Sequence, residues 1–348
     1  MTSPSSGDGT RSDLKPITPR QAMGEWLDII DSDTSGSTSD SYKRRVSQFI
    51  DWCESEGIMN LNDVDGRDLK AYRDHREPAL NSTSMKNELR TVRQFLEYGV
   101  ALEAVEPALA EKFTQHIPSL TKGEVSSDLT ISRERVHTIL DHLDKFRYAT
   151  RDHALFITMW DTGARISGLR ALDVGDFDVE DGTVRFVSRE ESGTRLKNGV
   201  SGERLNVLNE KTVTVLRDYI REHRMDREDD YGRSPLFTTK FGRPTTSTVR
   251  QTAYLLTQPC FHSGCPHDEE PASCPYRKHG HESKCPSSLS PHPIRTGRIT
   301  DLRNRDVRIT KVAARVDAMP DTIRAYYDKP NLGEELDRRR DEISAAGL

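Results

Sequence analysis

Three short words, far apart in this chain, have to meet in space before the sequence makes chemical sense. They are Thr162-Gly-Ala-Arg-Ile-Ser-Gly-Leu169, Ser290-Pro-His-Pro-Ile-Arg295 and Arg324-Ala-Tyr-Tyr-Asp-Lys-Pro330. In chain order they supply Arg165, His292, Arg295 and Tyr327. Guanidinium forks grip non-bridging phosphate oxygens and match the charge that builds in a pentavalent transition state. A histidine donates a hydrogen bond or moves a proton, and a tyrosine hydroxyl serves as a nucleophile. The set suits metal-free attack on a DNA phosphodiester.

The local pattern around each word supports its exposure to a ligand. Gly163 supplies the left-handed turn that ends a helix expected over Arg151–Trp160, and Arg165 follows that turn at the start of an apolar helix carrying Ile166, Leu169 and Leu172. His292 and Arg295 lie one helical turn apart, so they share a face, and Ser290-Pro291 opens their helix with backbone N–H groups that favour an anion. Tyr326 and Tyr327 project to different sides of a helix, so only one can face a phosphate. Each word has a plainer reading: a solvated arginine after a capping glycine, a surface histidine on a capped helix, two packing aromatics. Their joint occurrence is what argues for chemistry.

The order and wording resemble the tyrosine recombinase, or phage-integrase, family. Its first box reads Thr-Gly-x-Arg-Ile-Ser-Glu-Leu, its second His-x-x-Arg, with the tyrosine beyond, and the resemblance covers residues 20–345. The phrase Cys-Pro-Ser-Ser-x-Ser-Pro-His-Pro-Ile-Arg and the ending Tyr-Asp-Lys-Pro are most similar to integrase-like recombinases of halophilic archaea. The resemblance implies a site-specific DNA recombinase that cleaves and rejoins duplex DNA through a covalent 3′-phosphotyrosine. Arg165, His292 and Arg295 would hold the phosphate, and Lys197, in the turn between two strand candidates, would protonate the leaving 5′ oxygen. Tyr327 is the preferred nucleophile, and Tyr326 fits an alternative register. No cofactor is required for catalysis. The implied partners are double-stranded DNA and three further copies, a homotetramer on paired sites. Two positions depart from the family: Gly168 stands where it has glutamate, and Ala318 where it has a second histidine. They keep open a non-catalytic DNA-binding regulator on a decayed scaffold, while shared chemistry keeps open a type IB topoisomerase-like nicking and resealing enzyme.

A length of 348 residues suits two domains, and 34% hydrophobic against 31% charged residues suits a heavily solvated surface. No apolar run is long enough to span a membrane and the start lacks a signal-peptide core, so a cytoplasmic protein with no membrane partner is expected. The expected fold is mainly α with a small β-sheet in the C-terminal domain: a two-domain clamp of a helical core-binding domain and an α+β catalytic domain. Residues 1–17, rich in Ser, Gly and Pro, are expected to be a disordered tail. Residues 18–115 read as helical, including Tyr42, Val46, Phe49, Ile50 and Cys53 at three- and four-residue steps with Ser39 or Asp40 as N-cap. Residues 116–128 read as a linker and 129–348 as the catalytic domain, with alternating strand candidates at 183–188 and 203–208.

A net charge of −5 does not favour a nucleic-acid partner, but local charge differs in sign. Lys43, Arg44 and Arg45, with Lys86, Arg90 and Arg93, form basic helix faces expected to contact DNA. An insertion at 258–288 holds Cys260, Cys265, Cys274 and Cys285 with four histidines. Thiolate and imidazole at that density suit a structural zinc ion, although no Cys-x-x-Cys pair is present; the other reading is an unliganded loop of reduced thiols. Cys53 falls on an apolar face and reads as core.

Overall fold

The computed structural model describes residues 14–33, 36–120 and 129–345, which fall into two units, 14–120 and 129–345. The first unit is built of α1 (Pro19–Asp33), α2 (Gly36–Ser55), α3 (Gly66–Arg76), α4 (Ser82–Ala101) and α5 (Pro107–Lys112). Helical spacing sets Val46, Phe49, Ile50 and Cys53 of α2 in one core with Leu89, Val92, Phe95 and Leu96 of α4, all fully buried. Burial pushes the Cys53 thiol up to about 12, as befits a core residue. Asp65 starts α3 with a reciprocal capping box to Asp68. Among its described residues the unit contains no strand.

Three expectations for this unit shift. Residues 1–13 of the expected tail lie outside the described residues, but 14–17 are tied down: the Leu61 N–H donates to the Ile17 carbonyl at 2.8 Å and the Lys15 N–H to that of Glu103 at 2.8 Å. Ser39 does not cap α2, which already runs from Gly36; it is buried and donates instead to the Asp31 carboxylate. The linker begins later than position 116, because Phe113–His116 forms a 3-10 turn and Ile117 packs on the core; residues 121–128 lie outside the described residues.

The second unit is organised around one helix. After α6 (Arg133–Phe146), capped by Ser132, comes α7 (Arg151–Thr162), capped by Thr150. Every residue of α7 from Asp152 to Thr162 is buried, so the other elements wrap it. Next are α8 (Ile166–Ala171) and an antiparallel sheet of β1 (Phe177–Asp178), β2 (Thr183–Phe186) and β3 (Arg204–Val207) in the order 1-2-3, with Val184 opposite Asn206. Alternation works as expected in β2: Val184 and Phe186 are buried and Arg185 is exposed. The sequence had not shown β1, which is two residues long. Beyond the sheet lie α9 (Glu210–Asp218), α10 (Thr246–Thr257), α11 (Pro259–His262), α12 (Pro291–Asn304), α13 (Ile309–Val316), α14 (Pro320–Thr322) and α15 (Leu332–Ala345). The helix expected over 210–223 widens into a π turn at Tyr219–His223.

The helix α12, which carries His292 and Arg295, is set by a close approach. A Cβ on Gly297 would stand 2.2 Å from the Ile131 carbonyl oxygen, so only glycine lets α12 lie against the entry to this unit. Among the described residues no helix is long and apolar enough to cross a membrane.

Candidate active site

The first box forms a corner. Gly163 ends α7 in the left-handed region, φ 60°, and Arg165 adopts an extended conformation as the N-cap residue of α8. A side chain at Gly163 would meet Val316 at 3.1 Å, so the corner packs directly on the end of α13. Arg165 reaches across to that same end. Its Nη1 donates to the Asp317 carbonyl at 2.6 Å and to the Asp317 carboxylate at 2.9 Å.

Arg295 is 1% exposed, a buried guanidinium. Its Nη1 donates to the Gly163 carbonyl at 2.7 Å and the Val316 carbonyl at 2.8 Å, while Nε and Nη2 have no hydrogen-bond partner among the described residues. Two orphaned donors on a buried cation are costly unless a ligand completes them. Burial, and after it the nearby Arg165 charge, brings Arg295 down to about 10, which leaves it fully charged at neutral pH. His292 lies one turn away on the exposed side of α12. Desolvation together with the Arg295 and Arg165 charges lowers its pKa from the ordinary imidazole value, so at neutral pH it is a neutral imidazole able to take or give a proton.

The two tyrosines separate sharply. Tyr327 is 7% exposed; its ring centroid lies 5.2 Å from that of His292 and 5.0 Å from the Arg295 guanidinium carbon. Tyr326 is 37% exposed and has neither contact. Both belong to a π turn, Ile323–Tyr327, that continues α14. A residue the sequence did not single out holds this turn in place: Thr300 of α12 donates its hydroxyl to the Tyr327 carbonyl at 3.0 Å and accepts the Lys329 N–H at 3.1 Å. Thr300 shares α12 with His292 and Arg295, so one rigid helix registers the tyrosine against them.

Lys197 lies in the connection from β2 to β3, a longer loop than a tight hairpin, with a 3-10 turn at Gly199–Gly202. It is exposed and lines, with Arg165, Ser167, His292 and Arg295, an open cleft of about 240 Å³. All five expected catalytic positions are therefore brought to one place. A further cation adjoins them: Arg204 of β3 stacks at 4.0 Å on the Phe186 ring, and burial brings it down to about 10. The departures from the family pattern have packing counterparts. A Cβ on Gly168 would meet the Phe186 ring at 3.2 Å, and Ala318 packs with the cluster of Ile299, Val312, Val316 and Ile323.

The expected basic faces of the first unit divide. Arg44 and Arg45 line a second cleft with Arg76 and Ser84. Arg76, missed in the sequence, is held there by Glu88, which accepts from its Nε at 2.6 Å. Lys86, Arg90 and Arg93 do not line this cleft, and Arg93 is paired with Glu97 at 2.8 Å. Lys43, like Arg90, is exposed.

The four thiols expected as zinc ligands come within electrostatic reach of one another: Cys265, Cys285 and Cys274 each act on the Cys260 thiol, whose pKa is raised chiefly by burial. All five cysteines are free thiols, and among the described residues no group of three or more His, Cys, Asp or Glu is gathered to hold a metal ion. Polar contacts tie the insertion to the helices around it. The buried Gln258 donates to the Tyr276 carbonyl at 2.9 Å, Gln251 donates to the buried Glu282 at 3.0 Å, and Arg135 ties Thr257 to Ser287.

Comparison with known proteins bears on the family and the fold. Residues 130–329 match the family model described as phage integrase family, and residues 25–102 match that of the phage integrase N-terminal SAM-like domain. A tyrosine recombinase XerC of Pseudomonas syringae pv. tomato is 27% identical over 162 residues, 44% of this chain and 51% of that protein. A tyrosine recombinase XerD of Corynebacterium glutamicum is 23% identical over 305 residues, 82% of this chain and 86% of that protein. The chain spans about half the length of the XerC relatives it matches. Among solved structures, the Tn1549 transposon integrase in complex with transposon right end DNA aligns over 95% of this chain and 100% of its own, with a TM-score of 0.66 at 14% identity. A lambda integrase tetramer bound to a Holliday junction aligns over 88% of this chain and 79% of its own, with a TM-score of 0.58 at 12% identity. At these identities the likeness is one of fold.

Proposed function

This chain belongs to the phage integrase family of tyrosine recombinases, and on that premise we propose that it is a site-specific recombinase acting on double-stranded DNA. The observation that carries the reading is the contact of Tyr327 with both His292 and Arg295 beside a cleft that Arg165 and Lys197 also line. In the proposed step the unpartnered donors of Arg295 and the free face of Arg165 take the non-bridging oxygens of the scissile phosphate. The Tyr327 oxygen attacks phosphorus and its proton passes to the neutral imidazole of His292. The bond from phosphorus to the 5′ oxygen breaks, and the Lys197 ammonium supplies that oxygen with a proton. A 3′-phosphotyrosyl link and a free 5′ hydroxyl result. Attack by a partner strand's 5′ hydroxyl reverses the sequence, so bond energy is conserved and neither ATP nor a metal is required.

Exchange between two sites needs four such centres, and a homotetramer on paired sites in the cytoplasm is the assembly we propose. The fold likeness to a lambda integrase tetramer on a Holliday junction supports it. Within the family, the wording from Cys285 to Arg295 and the Tyr-Asp-Lys-Pro ending favour kinship with the integrase-like recombinases of halophilic archaea. The test is incubation with duplex fragments of the DNA flanking its own gene, followed by denaturing electrophoresis. A covalent adduct and joined products that appear only with paired sites are expected. Adduct without a need for pairing would indicate nicking and resealing, and DNA binding with no adduct would indicate a regulator.

A further inference from the structure

The catalytic arginines of this chain lack the glutamate that the family places at position 168, yet Arg165 is not left without a carboxylate. Asp317 follows the last residue of α13 in the left-handed region, φ 56°, a conformation that aspartate tolerates better than most residues. One carboxylate oxygen accepts Arg165 Nη1 at 2.9 Å, and the other accepts Asn198 Nδ2 at 2.8 Å. Asn198 is the residue after Lys197. The same loop closes on the carboxylate again at Gly202, where a Cβ would stand 3.1 Å from Oδ2. The preceding residue, Val316, gives its carbonyl to Arg295. Two consecutive residues thus receive both phosphate-binding arginines and the loop of the proposed acid.

We propose that Asp317 is a positioning residue for phosphodiester cleavage, holding Arg165 and, through Asn198, the loop that carries Lys197. The inference rests on the recombinase reading above. Its carboxylate engages Arg165 only at Nη1, so Nε and Nη2 have no partner among the described residues and stay available to a phosphate. It also supplies negative charge where Arg165, Arg204 and Arg295 repel one another, and so favours the charged forms of Arg204 and Arg295. Fixing the fork and the ammonium before DNA arrives removes reorganisation from the chemical step.

Asp317→Gly is the decisive variant, because glycine accepts the left-handed backbone without strain while the carboxylate is removed. Nicked duplexes tiling the DNA flanking its own gene serve as substrate, with wild type, Asp317→Gly and Asp317→Asn compared at saturating DNA. The expected result is covalent adduct formed about 100-fold more slowly by Asp317→Gly, the scale of a misplacement near an ångström. DNA affinity and melting temperature should hold at wild-type values. Asp317→Asn, which keeps an acceptor for Arg165, should regain about tenfold of that loss. Adduct formation by Asp317→Gly at the wild-type rate overturns the inference, and so does a joint fall in rate, affinity and melting temperature that asparagine does not repair. Wild-type protein that binds DNA but forms no adduct overturns the recombinase reading itself, and the inference with it.

Discussion

Replacing Arg295 with methionine should nearly abolish cleavage while leaving the fold about as stable as before. The side chain is 1% exposed, and Nη1 makes two charged hydrogen bonds, to Gly163 and Val316, whose loss costs roughly 1.5–3 kcal/mol each. Against this, Nε and Nη2 are buried donors with no partner among the described residues, each a penalty of about 1–3 kcal/mol in the native protein that methionine removes. The two sums nearly cancel, and replacing buried charge with an apolar side chain of similar volume is often neutral or stabilising by about 1–4 kcal/mol. We therefore expect unfolding free energy within about 2 kcal/mol of wild type. Cleavage should fall by roughly 10²–10³ or more, the cost of deleting one preorganised transition-state donor. Calorimetry of the second unit's transition and single-turnover adduct formation on nicked duplex read the two quantities separately. A variant that loses most of its stability would show Arg295 to be a structural pin. One that cleaves at the wild-type rate would refute its place in the site.

Other perturbations address separate parts of the account. Lys197→Ala should slow cleavage of ordinary DNA yet cleave at near wild-type rate a substrate whose leaving 5′ oxygen is replaced by sulfur, since a thiolate departs without a proton. Gly297→Ala should destabilise the second unit by about 1–3 kcal/mol, because its Cβ would fall 2.2 Å from the Ile131 carbonyl oxygen, and α12 must shift to relieve it. His153 is fully buried, and burial lowers it from 6.5 to about 4. The native state therefore refuses a proton that the unfolded chain accepts: stability is complete above pH 6.5 and is lost as pH falls towards 4, by at most roughly 3 kcal/mol. Urea titrations of His153→Asn should show a flatter pH dependence than wild type across that window, and an unchanged slope would refute the assignment.

Local order was the legible part of this sequence. Ser132, Gly163 and the alternation in β2 signal their elements through contacts a few residues apart, and the structure follows them. The words that form the candidate site were legible because each carries its proposed chemistry in its own residues. What could not be read depends on contacts distant in sequence. Nothing near Asp317 announces that it receives Arg165 from the far end of α7, and nothing in Thr300 announces its bond to the Tyr327 backbone. Arg76 looks like any charged helix residue until Glu88, on another helix, fixes it beside Arg44 and Arg45. The Cys/His insertion shows the same limit: ligand density in sequence was high, but only the fold shows that Cys265, Cys274 and Cys285 come within electrostatic reach of Cys260. The choice between tyrosines also needed three dimensions, since burial and ring contact separate Tyr327 from Tyr326 where spacing alone left both open.

The central claim is that Tyr327 forms a covalent bond to DNA, and mass spectrometry of the trapped adduct tests it most directly. After nuclease and protease digestion, the account predicts a nucleotide joined through its 3′ phosphate to the tyrosine at position 327, a free 5′ hydroxyl on the released strand, and no adduct from Tyr327→Phe despite normal DNA binding. A nucleotide on Tyr326, or adduct formation that survives Tyr327→Phe, would contradict it.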